Sequence, residues 1–505
     1  MSRVSKNILY NVVGQGITIV LSFVAVKFIF RRLGQDALGI IYFTFTLNAL
    51  LTALLALGIN ETTVREVAAF HEDDPAYIRR LLQTASSFYW GLYALAAVAL
   101  YAAAPWLVTK WINLDTLSPS AATTVLRLLG IATLLALPRS FCASILRGIQ
   151  RMEFINLIDV AASALQQFGA IIVLFLGGGL LQVTLWMAAC YLFGLVLYLS
   201  VCAHFFGARA FIPSISTSVI HRNAAFSFRL AGITILSIVH TQTDKAIVSK
   251  LLPLGIFGYY GMAYSGVSRG MVVTASVSQA VFPSFSALHK QGDRDGLMRQ
   301  YGKLQDLLCY AIMPLFAAIP FAARPLFTFV LNAQAAQMLI WPVTFLSIGF
   351  CMNATLSIPY VFTLAVGKPQ IAARTAYYAL FAVLPVTGWL VYRFGIAGAG
   401  FSWIFYHLFA YAYFVPRACS ECLDMPAWKW YVHVFKVFGL AGLTYGGTWA
   451  MITLVGPSTI LSVVLGYFFA SAAYGAAAYR LLGDEVREAL RRMNFPKPAP
   501  ASSLI

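Results

Sequence analysis

Charged residues are scarce in this chain. Asp, Glu, Lys and Arg together make up 10% of its 505 residues, whereas an ordinary soluble domain carries roughly 25%. No long hydrophilic block interrupts the sequence, so it has no room for a soluble catalytic domain. Apolar runs of about 20 residues recur instead along the whole length, and a helix of that length spans a bilayer. The sequence therefore predicts an all-α polytopic membrane protein.

Clustered metal ligands are lacking as well. Cys419 and Cys422 form the only close cysteine pair in the sequence, and no second pair completes a zinc site. No nucleophile–base arrangement and no phosphate-cradling glycine loop occurs. We therefore expect neither a metal nor an organic cofactor, and we expect a transporter and not an enzyme.

Acidic residues are few, with 18 Asp and Glu against 35 Lys and Arg, which gives a net charge of +17. Such a balance can indicate nucleic-acid binding, but here the basic residues lie in short gaps between apolar runs. If the N-terminus is cytoplasmic, the inner gaps carry 24 of the 35 basic residues and the outer gaps carry 6. This bias is the positive-inside pattern. It predicts that both termini are cytoplasmic, and it requires no nucleic-acid partner.

A hydropathy window of about 19 residues predicts about 14 transmembrane helices. The first six are expected near 9–30, 37–58, 82–104, 123–146, 156–176 and 182–206. The next six are expected near 224–249, 256–283, 303–323, 336–364, 371–392 and 396–415, followed by two more at 431–454 and 459–482.

An internal repeat indicates how these helices are organised. Shifting the sequence by 219 residues places Leu33-Gly34 over Leu252-Pro253, and Gly39 over Gly258. Six spans separate the two copies, and an even number gives both halves the same orientation about an axis along the membrane normal. We therefore predict two six-helix bundles that face a central cavity, with two helices added at the C-terminus. The predicted boundaries are 1–206 and 207–415 for the bundles, 416–482 for helices 13 and 14, and 483–505 for a cytoplasmic tail.

Several basic side chains lie inside the predicted spans. An ion at membrane depth costs about 2.5–3.5 kcal/mol on insertion scales, so it normally faces a partner or a wet cavity. Arg269 lies near the middle of its span, and Arg139 follows a potential kink at Pro138. These two arginines are the best candidates for contacting an anionic substrate. Lys27 and Lys245 lie nearer the outer ends of their spans, where they can line the cavity or extend to the interface.

Two carboxylates accompany these cations. Asp244 can neutralise Lys245 or Arg269, and Asp159 can neutralise Arg139. Either carboxylate can alternatively carry a coupling proton or Na⁺. The sequence leaves both roles open.

Polar residues at helical spacing extend the predicted cavity lining. One such row in the fifth span ends at Gln166, and one in the eighth span ends at Gln279. A cavity with surplus positive charge suits a phosphate or pyrophosphate, which arginine binds in a bidentate manner. Hydroxyl-rich sugar suits the polar rows, and the rings of Tyr259, Tyr260 and Tyr264 could stack on sugar faces.

Three segments carry a resemblance to a known family: RRLGQDALGIIYF at 31–43, TDKAIVSKLLPLGIFGYYGMAYS at 243–265, and VFPSFSAL at 281–288. With the pattern of six, six and two spans, they resemble the bacterial polysaccharide (O-antigen) flippases of the multidrug/oligosaccharidyl-lipid/polysaccharide exporter superfamily. The resemblance implies translocation of undecaprenyl-pyrophosphate-linked oligosaccharide across the bacterial inner membrane by alternating access, for O-antigen or exopolysaccharide synthesis. The implied partners are this lipid-linked substrate, membrane lipids, a proton or Na⁺ counter-ion, and a polysaccharide polymerase.

Three other functions compete with this one. A cation-coupled multidrug exporter of the same superfamily should carry more carboxylates at membrane depth than this chain does. A lipid II flippase shares the cationic cavity. A membrane polysaccharide polymerase or ligase needs a sizeable outer loop for acceptor and catalytic residues, and the predicted outer gaps offer none.

Overall fold

The computed structural model describes residues 20–455, 459–483 and 486–487, and within these ranges the chain is helical without strands. The helix α1 covers residues 20–33. Helices α2 to α8 are Gln35–Leu55, Ile59–Phe70, Pro75–Trp106, Pro119–Thr133, Ala136–Gly148, Met152–Phe175 and Leu180–Phe206. Helices α9 to α13 are Thr217–Leu251, Leu254–Ser268, Met271–Gln291, Arg294–Val330 and Ala333–Ala365. Helices α14 to α17 are Gln370–Ala418, Ala427–Ala441, Gly447–Val455 and Ile460–Leu481.

The described residues contain 11 helical segments that are long and apolar enough to cross a membrane. The predicted spans at 371–392 and 396–415 fall within α14, which is kinked at Gly395. The predicted span at 224–249 falls within α9, which is not among the 11. Half of the first predicted span, residues 9–19, and most of the C-terminal tail lie outside the described residues. The polytopic helical fold is confirmed, and the count of 14 stays a prediction.

The predicted span over 256–283 lies within one segment long and apolar enough to cross a membrane, Leu254–Gln291, but the expected helix differs from the structure at two points. It is interrupted at Arg269-Gly270, where α10 ends and α11 begins. It also continues past Pro283 to Gln291, because one missing backbone N–H does not end a helix that packs against neighbours. The helix ends instead at Gly292, whose positive φ of 73° suits glycine, and the N–H of Asp293 closes the end by donating to the carbonyl of Leu288.

Two compact units make up the chain. The first contains the chain up to Met262 together with Phe329–Asn332, and therefore α1 to α9 and the start of α10. In it, α9 packs against α2, α3 and α4. The second contains Ala263–Thr328 and the chain from Ala333 onward. Its core is built by α13 with α11 and α14. The boundaries predicted from the sequence at 206 and 415 stay a prediction.

Prolines inside helices leave a free carbonyl four residues earlier, and neighbouring side chains occupy several of these carbonyls. Pro105 frees the carbonyl of Tyr101, to which Arg127 Nε donates at 3.0 Å. Arg127, which lies within a predicted span, therefore satisfies backbone that would otherwise be unpaired in an apolar setting.

The potential kink expected at Pro138 is also present, as the break between α5 and α6.

The second unit repeats this arrangement twice. Pro314 frees the carbonyl of Tyr310, and the hydroxyl of Tyr474 from α17 donates to it at 3.1 Å. Pro359 frees the carbonyl of Thr355, and Gln305 Nε2 from α12 donates to it at 3.1 Å. These hydrogen bonds fix α12 to α13 and α17 at the places where the helices are weakened.

We predict that Tyr474→Phe lowers the free energy of unfolding by about 1–3 kcal/mol, because it leaves the buried carbonyl of Tyr310 without a donor. The ring is retained, so packing changes little. Tyr377→Phe is the matched control, since the Tyr377 side chain is 52% exposed. Thermal unfolding in detergent measures both variants. Equal melting temperatures for the two would contradict the structural role of this hydrogen bond.

Candidate functional site

Arg139 and Asp159 form an ion pair in the first unit. Arg139 Nη2 lies 3.1 Å from Asp159 Oδ1, and the hydroxyl of Tyr198 donates to the same oxygen at 2.9 Å. The guanidinium fits against Gly194 of α8, where an added Cβ would lie 3.2 Å from it. The Arg139 side chain is 18% exposed and that of Asp159 is 53% exposed. The predicted neutralisation of Arg139 by Asp159 is confirmed, and the carboxylate stays open to its surroundings.

Asp244 and Lys245 form a second ion pair, which is buried. Lys245 Nζ donates to Asp244 Oδ1 at 3.0 Å and to the carbonyl of Thr241 at 2.5 Å. The hydroxyl of Tyr260 donates to Asp244 Oδ2 at 2.5 Å. Both charged side chains are only 4% exposed. Of the two pairings that the sequence allows for Asp244, the one with Lys245 is confirmed.

The two other candidates in the first unit are less enclosed. Lys27 of α1 is half-buried, and its ammonium lies 3.1 Å from the ring centroid of Phe329, a cation–π contact. Gln166 of α7 is also half-buried. Within the described part of the chain, neither Lys27 nor Gln166 forms a hydrogen bond to a residue of the two ion pairs.

Arg269 and Gln279 belong to the second unit. Arg269 is half-buried and lies at the break between α10 and α11, where the turn is held by a bond from the N–H of Gly270 to the carbonyl of Val267. Gly270 admits the ring of Phe316, which an added Cβ would approach to 2.9 Å. Gln279, two turns into α11, is exposed. Broken transmembrane helices are common at transporter binding sites, because the half-helix ends present unpaired backbone groups and partial charge.

The tyrosines expected to stack on sugar have other roles. Tyr260 is fully buried against Asp244, and Tyr259, 4% exposed, donates its hydroxyl to Gln35 Oε1 at 3.1 Å. Tyr264 packs against the rings of Phe350 and Trp403 at centroid distances of 5.6 Å and 5.4 Å. The expectation of sugar stacking is therefore wrong for the two buried rings.

A buried carboxylate that the sequence did not single out joins α3, α4 and α9. Glu66 is 3% exposed, and Arg65 Nη2 lies 2.6 Å from its Oε1. The hydroxyl of Tyr77 donates to Oε2 at 2.7 Å, and Arg222 Nη2 of α9 lies 3.5 Å from the same atom. Asn223 completes the cluster by donating to the Tyr77 hydroxyl at 3.0 Å.

This carboxylate escaped notice because it falls in a gap between predicted spans, where charged residues are expected in solvent. The pattern of α3 carries a usable signal. Thr62, Thr63, Glu66 and Val67 are its buried residues, and they follow the spacing of one helical face. A carboxylate in such a row indicates a buried partner.

The second unit contains an apolar cavity of about 280 Å³. It lies between α12 and α13 on one side and the segment 438–449 on the other. Its lining consists of Met313, Phe316, Ala317, Pro320, Phe321, Thr344, Ser347, Ile348, Cys351, Phe438, Ala441, Gly442, Tyr445, Gly446 and Trp449. Such a lining suits hydrocarbon and offers no charge to a phosphate.

Metal ligands do not cluster in the described ranges, where no group of three His, Cys, Asp or Glu side chains is placed to hold an ion. Cys419 and Cys422 are buried free thiols.

Comparison with known proteins gives two kinds of likeness. A putative O-antigen transporter of Shigella flexneri is 22% identical over 402 residues, which are 79% of this chain and 93% of that protein. The lipid II flippase MurJ in an inward closed conformation superposes with a TM-score of 0.71 at 12% identity, over 94% of this chain and 99% of that one. An inward-facing MATE multidrug resistance transporter of the MOP superfamily superposes with a TM-score of 0.66 at 13% identity, over 81% and 98%.

The structural matches show the fold alone, because their sequence identity is low. The family is shown by a model for polysaccharide biosynthesis proteins, which matches residues 4–289 and thus more than half of the chain. With its helical membrane fold, this chain belongs to the polysaccharide biosynthesis protein family.

Proposed function

We propose that this protein is a flippase that moves undecaprenyl-pyrophosphate-linked oligosaccharide across the bacterial inner membrane, for O-antigen or exopolysaccharide synthesis. Its family and the name of its Shigella relative support a role in polysaccharide transport. The observation that carries the proposal is the charge inside the helices. The candidate residues include four cations and two carboxylates, and both carboxylates are already paired with cations of the same set. The excess of positive charge favours an anionic guest.

In the proposed mechanism, Arg269 and Arg139 bind the pyrophosphate. A guanidinium forms two parallel hydrogen bonds to phosphate oxygens, which gives both affinity and orientation. Arg269 suits this role because the start of α11 follows it directly, and the partial positive charge of a helix N-terminus also favours an anion. Lys27, Gln166 and Gln279 are the further candidates for contacting the head group. The prenyl chain stays in lipid during the movement.

The same proposal includes the orientation and the partners of the protein. The excess of Lys and Arg in alternate gaps supports cytoplasmic termini. We propose alternating access between two bundles, with a proton or Na⁺ as counter-ion and a polysaccharide polymerase as the protein that receives the product. Asp244 and Asp159 are the candidates for carrying the ion.

We predict that Arg269→Ala reduces translocation of a fluorescent undecaprenyl-pyrophosphate oligosaccharide in proteoliposomes about tenfold or more, because a bidentate phosphate contact is lost. Arg269→Lys keeps the charge but cannot form the two parallel hydrogen bonds of a guanidinium, so its translocation rate should lie between those of wild type and Arg269→Ala. Arg393→Ala is the control, since Arg393 is an exposed arginine of α14. Equal rates for Arg269→Ala and Arg393→Ala would contradict the binding role.

A second prediction separates structure from coupling at the buried pair. Lys245→Met alone leaves the Asp244 carboxylate buried without its cation, and breaking such a pair costs about 3–5 kcal/mol. The double variant Asp244→Asn/Lys245→Met removes both charges and should recover most of the melting temperature. If Asp244 carries the coupling ion, the double variant is stable but transport no longer responds to a proton or Na⁺ gradient. Ion-dependent transport by the stable double variant would exclude Asp244 as the coupling residue.

A further inference from the structure

The backbones of α2 and α10 come unusually close at Gly39 and Gly258, a contact that we call the glycine crossing. A Cβ added to Gly39 would lie 2.2 Å from the carbonyl oxygen of Leu254. A Cβ added to Gly258 would lie 2.7 Å from the backbone nitrogen of Gly39. Both obstacles are backbone atoms, which cannot turn aside as a side chain does. Only glycine at these two positions allows the two helices to lie as close as they do.

The glycine crossing brings equivalent residues of the internal repeat together. The shift of 219 residues relates Gly39 to Gly258, and it relates Gln35 to Leu254. Gly39 faces Leu254, and Gly258 faces Gly39 itself. Contacts between equivalent positions are the property of an interface that surrounds a two-fold axis. The crossing therefore lies where the axis that relates the two halves is expected.

Hydrogen bonds from the connection between α4 and α5 surround the glycine crossing. Asp36 Oδ2, at the start of α2, accepts from the N–H groups of Asp115, Thr116 and Leu117 at 3.0 Å, 2.6 Å and 3.1 Å. The same connection therefore fixes the first turn of α2. Asp36 is 1% exposed, so these bonds are made in a dry environment.

The connection also holds the turn between α9 and α10. The carbonyl of Asn113 accepts from the N–H of Leu254 at 2.8 Å, and Asn113 Nδ2 donates to the carbonyl of Lys250 at 3.1 Å. Trp111 Nε1 donates to Ser249 Oγ at 3.0 Å. The segment 110–117 thus links α2 to the turn that follows α9 by hydrogen bonds on both sides.

We propose that the glycine crossing and the segment 110–117 form the seal of the translocation path on the outer side, and that this seal parts each time substrate is released. This inference rests on the proposed function and on the predicted orientation, which places both turns outside. In a protein that works by two bundles rocking against each other, α2 and α10 belong to opposite predicted halves of the repeat, and in the observed state α2 and the start of α10 lie in one compact unit. Their contact is therefore one that the outward-open state must break.

The opposite end of α9 is fastened as well, through Arg222 and Asn223 to Glu66 and Tyr77. The hydroxyls of Thr62 and Ser227 lie 2.7 Å apart in the same region. Both ends of α9 are therefore attached to α3, α4 or the segment 110–117 in the state observed. Next to the outer attachment, α2 and α10 meet through the backbone contact between two glycines, which can be loosened by adding a single methyl group.

A disulfide across the seal tests its movement directly. A Cβ on Gly255 would lie 3.0 Å from the Cβ of Gln35, so a small outward shift of about 0.5 Å gives the Cβ separation of about 3.5–4.5 Å that disulfides adopt. We expect Gln35→Cys/Gly255→Cys to form a disulfide with mild oxidant, to lose translocation, and to regain it on reduction. Each single-cysteine variant should be unaffected by oxidant. A double variant that is fully oxidised and transports at the wild-type rate would overturn the proposal.

The rate of disulfide formation provides a readout that does not depend on substrate. In the double-cysteine background, Gly39→Ala should slow crosslinking about tenfold, because the added methyl forces α2 and α10 apart. Gly91→Ala is the matched control, since an added Cβ at Gly91 has no atom within 4 Å. If Gly39→Ala does not fold, Asn113→Ala, which removes the side-chain hydrogen bonds to the carbonyls of Lys250 and Leu252 without a clash, should slow the reaction in its place. Equal rates in the folded variant and the control would overturn the seal.

The two proposals fail separately. A wild-type protein that moves no pyrophosphate-linked glycan overturns the proposed function, while the crosslinking rates still decide about the seal. Translocation that continues through a fully oxidised disulfide overturns the seal and leaves the proposed function standing.

Discussion

A polar group inside an apolar helix must find a partner, and this constraint accounts for the ion pairs and for the side-chain bonds to carbonyls that prolines leave free. Hydrocarbon offers no hydrogen bonds, so each unpaired group would cost several kcal/mol. The two ion pairs, Arg139 with Asp159 and Asp244 with Lys245, meet the constraint for charges. Arg127 and Tyr474 meet it for carbonyls that prolines leave free. The depth of a polar side chain within a helix is therefore not by itself evidence that it binds substrate.

This division changes the ranking of the candidates. Lys245 is buried and held by two oxygen atoms, so it stabilises α9 and is a poor first contact for a ligand. Arg139 is paired, but its carboxylate partner is half-exposed, and a phosphate could compete for the guanidinium. Arg269 lies at a helix break, where backbone groups of α11 can assist it. The break makes Arg269 the strongest of the candidates on physical grounds.

Composition and periodicity were sufficient to predict the helical membrane fold. Depth identified the residues of both ion pairs as candidates, but it left open whether Asp244 pairs with Lys245 or Arg269 and whether either carboxylate carries an ion. Composition and periodicity could not predict the break at Arg269-Gly270, because a glycine within an apolar run is compatible with a continuous helix. Only the structure shows that the ring of Phe316 packs against Gly270. Nor could they predict the Glu66 cluster, since its partners Tyr77 and Arg222 are distant in sequence. The close approach of Gly39 to Gly258 depends on how two helices cross, which the repeat suggests but does not fix.

The measurement that tests the central claim most directly compares two substrates in proteoliposomes containing the wild-type protein. One is a fluorescent undecaprenyl-pyrophosphate oligosaccharide, scored by its accessibility to a sugar-cleaving enzyme outside the vesicles. The other is a fluorescent organic cation, scored by its movement across the same membrane. A cationic site predicts that the pyrophosphate-linked glycan moves and the organic cation does not. Movement of the organic cation without the glycan would contradict the account.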